Sequence, residues 1–128
     1  MWYKNSILFK GIISCLLISA FTQCNKSDSH APSITITSPQ NNQVFTTGQT
    51  VHILAEISDS SKINTVHLRV TNLTTGEEFI HIEQMAGVTN YTFDQTFVTS
   101  EGTGYTIEVE ANNYKGNDAL VDINIKSQ

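Results

Sequence analysis

The sequence has only two cysteines among its 128 residues, and both lie within the first 24. Residues 25–128 therefore cannot form an internal disulfide, and their fold must depend on a hydrophobic core. Basic residues are also scarce: beyond position 23, five Lys and Arg face twelve Asp and Glu, which gives a net charge of −7. Nucleic acids and anionic lipid headgroups are bound by clustered cations. The charge thus argues against nucleic acid as a partner and against direct attraction to an anionic membrane surface.

The motifs that usually assemble an active site are missing as well. Beyond Cys24 there is no cysteine nucleophile, no Gly-x-Ser-x-Gly and no His-Glu-x-x-His. Two acidic pairs, Glu77/Glu78 and Glu108/Glu110, are better explained as solvated strand edges and outer sheet faces than as acid/base dyads. The single tryptophan is the second residue, and most aromatic residues fall in core phase, so Tyr114 alone is too little for a glycan site. We therefore expect no enzyme.

The first 23 residues are predicted to be a secretory signal peptide. Lys4 and Lys10 precede an apolar run at residues 11–21 (GIISCLLISAF), which is the order of charge and hydrophobicity in such signals. Eleven residues are fewer than the roughly 20 that span a bilayer. The alternative is a membrane anchor extended back through residues 7–9, and this anchor would bury Lys10 within the bilayer.

Cys24 follows the apolar run and precedes a polar stretch at residues 25–30 (NKSDSH). This arrangement resembles a bacterial lipoprotein signal of the Bacteroidota type, in which the cysteine is lipidated and becomes the first residue of the mature chain. The resemblance implies lipidation of Cys24, a polar tether over 24–32, and a location in the cell envelope, at the outer membrane. Cys15 is the alternative site, but its use would leave the apolar stretch 16–21 on the mature protein.

From residue 33 onward, apolar and polar side chains alternate in short runs separated by Gly, Asn, Asp, Ser and Thr clusters, which is typical of an all-β protein. Counting the interrupted first strand once, we predict seven strands at the 8–12-residue spacing of a β-sandwich. The inward-facing residues are expected to be Ile34, Ile36, Val51, Ile53, Ala55, Ile57, Val66, Leu68, Val70, Ile80, Ile82, Tyr91, Phe93, Phe97, Tyr105, Ile107, Val109, Ala111, Val121, Ile123 and Ile125.

Several segments are similar to bacterial immunoglobulin-like and fibronectin-type domains. They are residues 101–111 (EGTGYTIEVEA), which look like the start of strand F; residues 111–119 (ANNYKGNDA), which resemble the turn before the last strand; and residues 32–39 (PSITITSP) with 47–51 (TGQTV), which match the opening. The resemblance implies an Ig-like antiparallel β-sandwich over residues 33–128. It also implies that Tyr105 forms a tyrosine corner, in which the hydroxyl bonds to the backbone a few residues upstream. Asn113 stands where the family usually has Asp.

A histidine pair is the sharpest candidate for binding. The residues expected on the outer face of one hairpin are His67, Arg69, Phe79, His81 and Glu83. If Gly76 closes the hairpin loop, Arg69 lies opposite His81 and His67 opposite Glu83, so the two imidazoles are diagonal neighbours about 7–8 Å apart. Two imidazoles and a carboxylate bind zinc or copper. The alternative is an exposed polar sheet face without a ligand.

Two further groups of polar residues are candidate metal ligands. His52 is predicted on the opposite sheet, away from the other histidines. Asp59, Asn117 and Asp118 lie in loops that could meet at one end of the sandwich and hold Ca²⁺, although turn chemistry explains them equally well.

Taken together, these features predict a lipid-anchored Ig-like module with a non-catalytic binding or structural role at the cell envelope. Its partners would be the membrane, through Cys24, and an unidentified protein or envelope component. The alternative is a zinc- or copper-binding lipoprotein that uses His67, His81 and Glu83.

Overall fold

The computed structural model describes residues 30–128, and the predicted signal peptide (1–23), Cys15 and Cys24 lie outside the described residues. The described chain consists of eight strands: β1 (Ser33–Ser38), β2 (Val44–Phe45), β3 (Thr50–Ser58), β4 (Ile63–Asn72), β5 (Glu78–Met85), β6 (Asn90–Val98), β7 (Gly104–Asn113) and β8 (Asp118–Ser127). In this part of the chain, no helix is present that could cross a membrane.

The strands form two sheets, a three-stranded sheet in the order β1-β3-β6 and a five-stranded sheet in the order β2-β8-β7-β4-β5. All pairings are antiparallel except that of β2 with β8. The short β2 continues β1 on the opposite sheet, because Val44 pairs with Lys126 of β8 whereas β1 pairs with β3. Counted as one interrupted strand, β1 and β2 complete the seven strands predicted from the sequence.

The core lies between the two sheets and is built from alternate residues of the long strands. In β3 and β7 every second side chain is buried, because successive side chains of a strand point to opposite faces. The buried apolar residues include Val51, Ile53, Ala55, Ile57, Val66, Leu68, Val70, Phe93, Phe97, Ile107, Val109, Ala111, Ile123 and Ile125. Each fully buried Val, Ile or Phe contributes about 1.5–3 kcal/mol, so this core stabilises a fold that has no disulfide.

One end of the sandwich, here named the amino-terminal end, carries the loops at residues 59–62, 86–89 and 114–117. The backbone joins these loops through Ile63 N–H to Val88 O (2.7 Å) and Tyr114 N–H to Lys62 O (3.2 Å). The first described residue, His30, lies at the same end, because Asn113 Nδ2 donates to its carbonyl oxygen at 3.0 Å. Since Pro32 is also buried, the last residues of the predicted tether (24–32) are held against the domain.

The opposite end, here named the far end, carries the loops at residues 46–49, 73–77 and 99–103. These loops contact one another through Gly48 N–H to Thr99 O (3.0 Å) and Leu73 N–H to Gly104 O (2.8 Å). Strand β4 runs the full length between the two ends with ten residues. At about 3.3 Å per residue, the ends are therefore about 33 Å apart.

Candidate functional site

The hairpin of β4 and β5 brings the predicted binding residues together. His67 pairs with Glu83 and Arg69 pairs with His81 in this hairpin. The backbone of Gly76 has φ +74°, a conformation that glycine adopts without strain, and its N–H donates to Asn72 O at 2.8 Å. The turn and the register shift between Val70 and Thr71 together set the pairing at Arg69 and His67. That pairing determines which side chains share the outer face.

His67, His81 and Glu83 form a compact group on that face. One ligand atom from each residue lies within 4.8 Å of the others, and the two imidazole centroids are 6.5 Å apart. His81 and Glu83 are exposed, whereas His67 is half-buried between its neighbours on β5 and β7. The three side chains thus present two nitrogen ligands and one carboxylate toward solvent.

Glu78 belongs to the same cluster, although the alternation of the sequence did not identify it. Its Oε1 lies 2.6 Å from His81 Nδ1. An ionised carboxylate only accepts hydrogen bonds, so Nδ1 of His81 carries the proton and the lone pair of Nε2 is free in the neutral ring. Glu78 therefore both orients the imidazole and selects the tautomer that could bind a metal through Nε2.

Arg69 links three strands on the same face. Its Nη1 contacts Glu108 Oε1 of β7 directly and lies 3.1 Å from Glu110 Oε2, while its Nε lies 4.0 Å from Glu78 Oε2 of β5. The hydrogen bond that Arg69 donates to Glu108 is the main cause that raises the pKa of the guanidinium above its usual value, and partial burial opposes the rise. The arginine thus remains charged and neutralises part of an acidic face.

Phe79 was expected on the outer face with these residues, and that prediction is wrong. The pairing of β4 with β5 shifts between Val70 and Thr71, which places Glu78 opposite Thr71 and leaves Phe79 as the extra residue of a bulge. The Phe79 ring packs edge-on against Phe97 (5.4 Å between centroids) and Tyr105 (5.9 Å). Two adjacent apolar residues, Phe79 and Ile80, were the sequence signal for this break in alternation.

His52 lies on the other sheet, on β3, where its Nε2 is 2.5 Å from Asp94 Oδ1 of β6. It therefore forms a second histidine–carboxylate pair, on the opposite side of the sandwich. His52 does not belong to the group formed by His67, His81 and Glu83.

The loop residues considered for Ca²⁺ have structural partners at the amino-terminal end. Asp59 Oδ1 accepts from Ser61 N–H at 2.5 Å, and Asp59 Oδ2 accepts from Asn113 Nδ2 at 3.0 Å. Asn113 Oδ1 in turn accepts from the N–H groups of Lys115 and Asn117, both at 3.0 Å. Asp59 thus stabilises a turn and a buried amide through both carboxylate oxygens, in agreement with the turn-chemistry alternative.

Two tyrosines have contrasting environments. Tyr105 is buried, and its hydroxyl oxygen accepts from Ser100 N–H at 2.7 Å, which ties β7 to the loop five residues upstream. This contact is the geometry of a tyrosine corner. Tyr114, in the 114–117 loop, is 57% exposed.

The fold is defined as an immunoglobulin-like β-sandwich by three features. They are two sheets that are antiparallel apart from the β2–β8 pair, a first strand divided between the sheets, and a tyrosine corner after the crossover from β6 to β7. The model of the bacterial Ig domain family matches residues 32–111, more than half of the chain, and the chain belongs to that family. The matched region ends in β7, and β8 completes the sheet beside it. Comparison with curated proteins finds no significant match.

Membership in this family confirms the Ig-like resemblance inferred from the sequence. Bacterial Ig domains are typically extracellular or surface-exposed, and the family points to a structural or binding module.

Proposed function

We propose that this protein is a lipid-anchored, non-catalytic binding or structural module of the bacterial cell envelope, attached to the outer membrane through Cys24. The observation that carries the proposal is an extracellular type of domain whose first described residue, His30, is six residues after a cysteine with a lipoprotein-like setting. A domain that rests on its core without a disulfide needs no oxidative step to fold before it is displayed.

The position of His30 supports a definite orientation on the membrane. Its carbonyl is hydrogen-bonded to Asn113 at the amino-terminal end, and five residues separate it from Cys24. Six Cα–Cα steps span at most about 20 Å when fully extended. The amino-terminal end would therefore stand next to the lipid headgroups, with the far end displayed about 33 Å further out.

This orientation assigns different roles to the two ends. Tyr114 would face the membrane and would not be available to a soluble partner. The far end exposes apolar side chains that a partner can cover, including Leu73 (56% exposed) and Val98 (61% exposed). The edge strands β5 and β6 offer unpaired backbone groups along the sides of the sandwich. A protein or envelope component would be recognised at the far end or along these edges.

Detergent-phase partition of the natively expressed protein tests the anchor. We expect the parent protein to enter the detergent phase and a Cys24→Ala variant to remain in the aqueous phase or to keep its uncleaved leader. Cys15→Ala is the matched control, since it removes the other cysteine of the leader and should leave partition unchanged. Loss of partition in Cys15→Ala with retention in Cys24→Ala would contradict the assignment.

A further inference from the structure

The outer face of the five-stranded sheet supports a second function that does not depend on the membrane anchor. We propose that His67, His81 and Glu83 form a binding site for one divalent zinc or copper ion. Both metals accept imidazole nitrogen together with a carboxylate oxygen.

The distances in the cluster suit a metal after a small side-chain adjustment. Tetrahedral ligands at 2.0–2.1 Å from zinc lie about 3.3 Å from one another. The three ligand atoms already lie within 4.8 Å of one another, so each must move by only about 1 Å. Strand pairing holds the three backbones in register, while exposure leaves His81 and Glu83 free to rotate. The fold thus collects the ligands, and the side chains complete the geometry.

Glu78 supplies the support that metal-binding histidines usually have. A carboxylate behind the imidazole fixes the ring and keeps the proton on the nitrogen that does not bind metal. Glu78 Oε1, at 2.6 Å from His81 Nδ1, occupies this position and directs Nε2 to the ligand role. Glu78 is therefore a positioning residue of the proposed site rather than a ligand.

The local charge favours a cation. Three carboxylates, from Glu78, Glu108 and Glu110, contact the guanidinium of Arg69, and Glu83 adds a fourth beside the two histidines, so these five side chains carry a net charge of −3. The guanidinium of Arg69 makes its shorter contacts with Glu108 and Glu110 on β7, and its Nε lies farther, 4.0 Å, from Glu78 Oε2 on β5. A divalent ion would reduce the remaining mutual repulsion of the carboxylates.

The contacts of His67 allow it to join the site. Its Nδ1 lies 3.5 Å from Arg69 Nη2, at the outer limit of a hydrogen bond. A metal ion that binds this ring would therefore displace only one weak contact. Three protein ligands leave a fourth position of a tetrahedral ion open to solvent. Water, or a donor group from a partner protein, would occupy that position.

Isothermal titration with zinc chloride and with copper sulfate tests the proposal, using natively processed protein purified without a histidine tag. We expect one ion per chain, with copper bound more tightly than zinc because N/O sites generally follow that order. His67→Ala and His81→Ala should each reduce the affinity at least as much as Glu78→Gln, which replaces the carboxylate that orients His81 and should weaken binding about tenfold.

His52→Ala is the matched control, because His52 also pairs with a carboxylate but lies on the other sheet. It should leave the affinity unchanged, as should Cys24→Ala, which separates the metal site from the anchor. The proposal is overturned if neither metal binds at millimolar concentration, or if His67→Ala and His81→Ala bind as tightly as the parent. Because His81 is exposed and the half-buried His67 lies outside the core, unfolding curves without metal should nearly coincide for these variants. Glu83→Gln tests the third ligand with a side chain of nearly the same shape.

Discussion

At the scale of single residues, Asn113 organises the amino-terminal end of the domain. It is 2% exposed, and its amide donates to Asp59 Oδ2 and to His30 O while its oxygen accepts two backbone N–H groups. The sequence resemblance marked this position only as an Asn in place of the usual Asp. The structure gives the physical reason, because the Asn113 amide donates to the Asp59 carboxylate while it accepts from the turn, and an ionised aspartate in its place could not donate.

Replacing this amide tests its role. Asn113→Asp should lower the free energy of unfolding by about 2–4 kcal/mol at neutral pH, because it removes two buried donor contacts and places a second carboxylate about 3 Å from Asp59. The loss should become smaller at acid pH, where one of the two carboxylates takes up a proton and can donate to the other. Urea unfolding followed by circular dichroism at both pH values measures this difference.

The neighbouring Asn112 provides the control. Its Oδ1 accepts from the N–H and hydroxyl of Thr65, and a carboxylate keeps both contacts. Asn112→Asp should therefore change the stability by less than about 1 kcal/mol. An equal loss in both variants would mean that added negative charge, rather than the lost amide, explains the effect.

At the scale of elements, the β4–β5 hairpin depends on Gly76 for its register. Its φ of +74° is unfavourable for residues with a Cβ, although no atom would crowd that Cβ. We expect Gly76→Ala to cost about 1 kcal/mol of stability, measured by urea unfolding. Thr74→Ala in the same exposed loop is the control and should be nearly neutral. A neutral Gly76→Ala would show that the loop relaxes to another turn.

The strands could be read from the sequence because alternation identifies the buried face. The pairing of His67 with Glu83 is the one predicted from a three-residue loop, but it arises differently: Asn72 N–H donates to Glu77 O, which leaves four residues in the turn, and the bulge at Phe79 compensates for the additional residue. The bulge at Phe79 was not predicted, because a strict period of two assigns Phe79 to the same face as His81 and Glu83 and does not allow for an inserted residue. The same shift hid Glu78, and the long-range contact between Asn113 and Asp59 leaves no periodic signal at all.

At the scale of the whole molecule, the two ends differ in charge as well as in position. Two lysines, Lys62 and Lys115, and one aspartate, Asp59, lie in the loops of the amino-terminal end, whereas Glu77 and Glu101 are the only charged residues in the three loops named for the far end. The net negative charge of the domain argued against direct attraction to an anionic surface, but the end next to the predicted anchor is the less acidic one. This asymmetry supports a domain that stands on the membrane by its amino-terminal end.

The orientation of the domain on the membrane is tested most directly by energy transfer from a single tryptophan to a headgroup-labelled lipid. The measurement uses vesicles that carry the natively lipidated protein. The only native tryptophan is Trp2 in the predicted signal peptide, so Tyr114→Trp and Leu73→Trp each create one reporter. These positions flank opposite ends of β4, about 33 Å apart. If the amino-terminal end lies next to the headgroups, transfer should be efficient from position 114 and weak from position 73. Equal transfer from both, or stronger transfer from position 73, would contradict it.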